Sequence, residues 1–301
     1  MKCKMGAQLF LKGVACVLKK PKTIAQQIEI LKAKNISIQD EDRTKDFLNR
    51  VNYYRFSGYF LPFQTNGHGT LSPDITFGKL QAIYEFDEHM RTLVMGIIDE
   101  IEIFLRMQLS HYHAMKYGEE GYMDVKYYNG RHNHKRFINH INSCIRENAG
   151  TKVVQHHMEK YGGHFPIWVI VEFFSMGMLS FFYSDMLNSD KSNISKALYG
   201  VNYQTMESWM KCLTILRNKC AHHARLYYQN FALMPRIPKA IKHKPTRKIF
   251  TQLYMLKLMY PRDNWDSAFV KPFAKLVKVY SPYISKEHLG LPRTWKAQMK
   301  K

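Results

Sequence analysis

From Thr76 one helical pattern runs for some forty residues. Leu80, Ile83, Tyr84, Met90, Val94, Ile97, Ile98, Ile101, Leu105, Leu109 and Tyr112 recur along it at the period of an α-helix. A helix of that length buries its apolar stripe most simply against other helices, and strand signals are sparse elsewhere, so the expected fold class is all-α. Its polar side carries Asp87 with Arg91 and Glu102 with Arg106, each pair four residues apart and therefore on one face.

Shorter helices are expected around it. TIAQQIEILKAKN at 23–35 follows Pro21, with Thr23 as N-cap and Ile24, Ile28 and Leu31 on one face. DEDRTKDFLNRVN at 40–52 has early acids that suit a helix N-terminus. The aromatic run YYRFSGYFLPF at 53–63 leads into a loop at 64–74, rich in Gly, Pro, Ser and Asn. Helices are expected again at 134–148 and 151–160. The block 165–187 is apolar nearly all round and reads as a central pair of core helices; Pro166, Glu172, Ser175 and Asp185 argue against a membrane span. Another helix starts at Tyr203 behind Asn202. Seven prolines between 235 and 292 divide the remainder into short segments. The expected organisation is an N-terminal extension (1–19), a helical domain (20–230) and a basic C-terminal region (231–301) packed on the same domain.

An apolar content of 46% suffices for a globular core. The first twenty residues have a basic start and an apolar stretch, but Lys12 interrupts it and no small-residue cleavage site follows, so a cytoplasmic protein is expected. Five cysteines without C-x-x-C spacing imply neither a disulfide framework nor a zinc knuckle. The histidine pairs His132/His134 and His156/His157 lack companion ligands and read as solvated surface, so no metal and no cofactor is expected.

Net charge is +21, and residues 225–301 carry 17 Lys+Arg against 3 Asp+Glu, two-thirds of the excess. Such a region predicts a polyanion partner. Aromatics and prolines interleave the charge and no amphipathic anchor helix stands out, which favours nucleic acid over membrane. The tract RIPKAIKHKPTRK at 236–248 is the expected RNA-backbone groove, through Arg236, Lys239, Lys242, Lys244, Arg247 and Lys248. Tyr53, Tyr54 and Arg55 could stack bases and hold a phosphate, or belong to the core.

Arg-x4-His occurs twice, as Arg106–His111 and Arg217–His222, against roughly 0.65 pairs expected by chance. Residues five apart on a helix diverge by about 140°. Asn218 lies one turn before His222 and could orient its imidazole, whereas Met107 holds that place before His111. Arg217 shares a stripe with Met206, Met210, Leu213 and Cys220, so its base is drawn inward and its charge needs a partner or an anion. Arg106 has Glu102 as a ready partner and reads as structural. Histidine serves as acid or base near neutrality, and arginine presents a fork to phosphate; the two residue types suit metal-independent RNA cleavage.

The run RNKCAHH at 217–223 resembles the signature of HEPN ribonucleases. The blocks at 20–42, 53–63, 84–91, 100–106 and 168–180 resemble, in order, the Abi-like abortive-infection family of the AbiD/AbiF type. The resemblance implies a HEPN-type helical bundle, here with additional N-terminal helices and a basic C-terminal helical region. It implies an endoribonuclease toxin of phage defence, acting together with a small non-coding RNA, and a homodimer in which two Arg–His motifs line one cleft. Family spacing favours Arg217 and His222 as catalytic, with Asn218 orienting; His223 stays open as the base. The alternative is a non-catalytic RNA-binding protein on the same scaffold. A DNA-binding repressor is a third reading, and no helix-turn-helix supports it.

Overall fold

Fourteen α-helices, with short 3₁₀ turns, one π-helical segment over Asp266–Val270 and no strand, are found among the described residues of the computed structural model (20–65, 71–241 and 243–300). The expected extension at 1–19, part of the loop at 64–74, and Lys242 lie outside them. Contacts divide the chain into two compact units, the first ending at Gly78 and the second beginning at Lys79.

The first unit holds α1 (Ile24–Ala33), α2 (Glu41–Arg50) and α3 (Tyr53–Ser57), followed by a 3₁₀ turn over Gly58–Phe63. Thr23 and Gln26 form a reciprocal capping box at the start of α1, and the Asp40 side chain caps α2 by accepting from the Arg43 amide. Edge-to-face rings of Phe47, Phe56 and Phe60 make its aromatic centre, with Phe77 against Phe47 and Phe56. Ser37 and Thr76 close a single parallel bridge there.

The long pattern forms α4 (Phe77–Tyr117), 41 residues without a break. In the second unit its stripe from Leu80 to Leu109 is buried. The chain continues through α5 (His134–Glu147), α6 (Lys152–Lys160), α7 (Ile167–Ile170), α8 (Met176–Asp185), α9 (Asn188–Tyr199) and α10 (Tyr203–Ala221). The apolar block at 165–187 is thus two short helices, broken where Phe174 is extended and the Ser175 side chain caps α8. The polar segment that becomes α9 carries no strong apolar period and is not anticipated by the sequence. α10 packs against α8, α9 and α11 (Ile249–Met259), and α12 (Lys271–Val279), α13 (Lys286–Leu289) and α14 (Trp295–Met299) complete the chain.

Burial in the basic region goes deeper than its charge suggests, and one histidine reading is corrected. α11 lies in the strongly basic region, yet nine of its eleven residues are buried. Residues after 230 therefore supply part of the core of the second unit, and the charge sits on the connections and outer faces. His132 is not solvated surface: its ring is 1% exposed, stacks on Tyr128 at 3.9 Å, and bonds through Nδ1 to Asp185 at 2.9 Å. His157 likewise stacks on Phe165. Stacking on nearby aromatic rings, and for His132 a carboxylate 53 residues away, drew these rings against the protein. No described helix is long and apolar enough to cross a membrane.

Candidate functional site at the end of α10

α10 forms because Asn202 caps it, accepting from the Thr205 amide at 2.9 Å, and because Met206, Trp209, Met210, Leu213, Leu216 and Cys220 fall on one buried side. Its ending is unusual. The Ala224 amide donates to Lys219 O at 2.8 Å and the His223 amide to Cys220 O at 3.0 Å, while His223 takes φ +53°. This is a Schellman closure in which histidine occupies the left-handed position that glycine normally fills. His222 is the C-cap, and both imidazoles are exposed. A carboxylate holds the chain beyond them. Asp87 on α4, fully buried and paired with Arg91 at 2.6 Å, accepts from the Leu226 amide at 3.0 Å and the Tyr227 amide at 2.8 Å. Those bonds fix the turn that presents the two histidines.

Arg217 departs from the opposite side of α10. Its side chain is 34% exposed, and its Nε lies 3.8 Å from Glu102 Oε2 on α4, too far for a hydrogen bond. That Nε is buried without a hydrogen-bond acceptor. Glu102 gives its other oxygen to Arg106, whose Nη1 also donates to Val171 O at 2.6 Å. Asp99 stands one turn before on α4; partial desolvation and then Glu102 raise its carboxyl above the ordinary carboxylate range, with Arg217 pulling it down. Burial pushes the Cys220 thiol up to about 12, which leaves it no nucleophile near neutral pH.

Several expected site residues come together here and others do not. Among the described residues no hydrogen bond or ion pair joins Arg217 to His222. Asn218 meets His222 through the backbone, its carbonyl accepting from the His222 amide at 3.0 Å; its side chain makes no bond to the imidazole. The basic tract flanks α10: Trp209 Nε1 donates to Arg236 O at 2.6 Å and the Phe231 amide to Arg247 O at 2.7 Å. Arg236, Lys239, Lys244 and Arg247 are exposed, whereas Lys248 is half-buried with its ammonium 4.8 Å from the Tyr228 ring centre. Tyr53, Tyr54 and Arg55 belong to the first unit. Tyr53 is half-buried beside Phe60, Tyr54 is 87% exposed, and Arg55 is exposed. Glu102 and Asp87 are the site-forming residues that sequence reading tied only to their own helix. Their spacing to Arg106 and Arg91 was visible; their second partners on and beyond α10 are tertiary contacts with no sequence signal. Among the described residues, no three His, Cys, Asp or Glu side chains converge as metal ligands.

A family model described as Abi-like protein matches residues 46–228. The chain belongs to the Abi-like family. No curated protein and no solved structure matches it. The Abi-like match contains Tyr53–Arg55, Glu102, Arg217 and both terminal histidines, and it ends at Tyr228, directly after the pair of amides that Asp87 holds. The basic tract lies beyond the matched Abi-like residues.

Proposed function

We propose that this Abi-like protein is an RNA-cleaving toxin of a phage-defence system of the abortive-infection type, with a HEPN-like site at the end of α10 and a small non-coding RNA as its controlling partner. The observation that carries this reading is the helix end itself. A non-glycine left-handed residue closes α10 so that His222 and His223 stand exposed, and the basic tract that flanks the helix exposes Arg236, Lys239, Lys244 and Arg247. His222 takes the proton of a ribose 2′-hydroxyl, the oxygen attacks the adjacent phosphorus as the P–O5′ bond breaks, and an imidazolium gives its proton to the leaving 5′-oxygen, producing a 2′,3′-cyclic phosphate and a free 5′-hydroxyl. Arg217 neutralises the crowded phosphate. Its loosely held Nε supports that role, because a buried donor without an acceptor costs about 1–3 kcal/mol and a phosphate oxygen relieves it. Arg217 and His222 leave one helix about 140° apart. Two copies of the chain, each giving one arginine and one histidine to a shared cleft, bring the groups together.

The second reading, an RNA-binding protein without cleavage, draws support from the acids beside Arg217, since Glu102 and Asp99 already offset its charge. Expression of the wild type, Arg217→Ala and His222→Ala in a bacterial host distinguishes the two. The nuclease reading expects growth arrest from the wild type alone; equal toxicity of all three contradicts it. Sequencing the RNA that co-purifies with the chain tests the partner, one discrete species being expected.

A further inference from the structure

Away from the helix end, α5 and α8 enclose a groove of about 340 Å³. Its floor is apolar, formed by Phe137, Gly177 and Met178. Its rim carries Arg131, Arg136 and His140, all exposed, and Phe181, whose ring is 64% exposed. Neither arginine pairs with an acid among the described residues. One carboxylate, Asp185, also lines the groove and is engaged by the buried His132 at 2.9 Å. A large exposed aromatic between unpaired cations has little to gain as a stability device. It does match a planar base joined to a phosphate: the base stacks on the ring and the guanidinium forks take the phosphate oxygens.

The position of the groove matters as much as its lining. Thr214 Oγ1 of α10 lies 3.4 Å from Met176 O, and a Cβ built on Gly177 would meet the Thr214 methyl at 3.8 Å. Gly177 lines the groove and also lies against Thr214, so one end of the groove meets α10 at the first turn of α8. His222 follows Thr214 by eight residues, about 12 Å along the helix axis.

We propose that this groove is a nucleotide subsite that holds one unpaired base of a single-stranded RNA, with Phe181 stacking on the base and Arg131 and Arg136 on its flanking phosphates. The subsite rests on the RNA-binding reading above and makes it specific: the RNA is held single-stranded as it passes the histidines. Duplex RNA keeps its bases stacked on one another and gains nothing from Phe181.

The test is a fluorescence-anisotropy titration of the full chain with a labelled 2′-O-methyl oligouridylate, which lacks the attacking hydroxyl and stays intact, and with its duplex. Phe181→Ala is expected to weaken the single strand by roughly five- to 150-fold, the worth of one base–aromatic stack, and to leave the duplex unchanged. Phe181→Trp restores the single strand. Replacing Arg131 and Arg136 with Gln lowers the slope of log affinity against log salt by about 0.7 for each phosphate no longer neutralised. Circular dichroism checks that each variant keeps its helices. A wild type that binds while Phe181→Ala binds the single strand equally well overturns the subsite and leaves the RNA reading standing. A wild type that binds neither probe overturns both.

Discussion

Arg106 with His111 on α4 and Arg217 with His222 on α10 share one spacing in opposite surroundings. Arg106 is saturated: Glu102 takes one arm and the carbonyls of Val171 and Glu172 take the other. His111 lies on the exposed face of a helix that continues to Tyr117. Arg217 has a long contact to the same Glu102 and the nearby charge of Asp99, and His222 stands where α10 ends. An interior helix position presents a side chain on a fixed, crowded cylinder. A helix end offers a C-cap, a left-handed neighbour and a turn whose direction a third group can set. Here Asp87 sets it. The difference that matters between the motifs is therefore the ending of α10, a property of the backbone rather than of Arg-x4-His.

That comparison can be broken in several ways. The largest stability effect belongs to Asp87→Ala, which removes the carboxylate paired with buried Arg91 and frees the Leu226 and Tyr227 amides. A loss of about 3–5 kcal/mol in chemical denaturation is expected. A loss below 1 kcal/mol shows that the turn holds itself. Arg106→Ala, removing a nearly buried ion pair and bonds to two backbone carbonyls, should cost about 3 kcal/mol. Arg217→Ala should cost less than 1 kcal/mol, since its contact to Glu102 is long and partly screened. Equal losses for the two arginines would erase the contrast.

His113, two residues beyond His111, offers a pH test. It is 1% exposed, packed against Tyr117, Tyr128 and Phe182, and burial lowers its pKa from 6.5 to about 4. Between those two values the unfolded chain carries one more proton than the folded one at this position, so stability falls as pH falls from about 6.5 to about 4, by about 3 kcal/mol in all. His113→Leu should flatten that part of the profile; an unchanged slope assigns the acid sensitivity elsewhere. His223→Gly is expected to act in the opposite direction. Relief of the left-handed strain should add about 1 kcal/mol, with RNA cleavage retained. Loss of cleavage in a folded His223→Gly chain would move the base from His222 to His223.

Much of this was written in the sequence wherever a local signal existed. The period of α4, the caps Thr23 and Asn202, and the start of α10 follow from side chains within a few residues of one another. The buried α11 did not, because prolines and charge surround it and its burial depends on neighbours far along the chain. The same holds at the candidate site. The apolar stripe correctly drew the base of Arg217 inward, and the need for a partner was legible, but that the partner is the Glu102 already assigned to Arg106 was not. Asn218 was expected to orient the His222 imidazole with its amide; its side chain makes no such bond, and its carbonyl accepts only the ordinary helix-end bond from the His222 amide. The left-handed His223 has no signature, since glycine is the usual mark of such a closure.

The most direct test of the central claim is cleavage of a single-stranded RNA by purified full-length wild type, Arg217→Ala, His222→Ala and His111→Ala, with the new 3′ ends mapped. The account predicts 2′,3′-cyclic phosphate ends from the wild type and from His111→Ala, and at least about a hundredfold slower cleavage by Arg217→Ala and His222→Ala. Cleavage by His222→Ala at the wild-type rate, or its loss in His111→Ala, would contradict it.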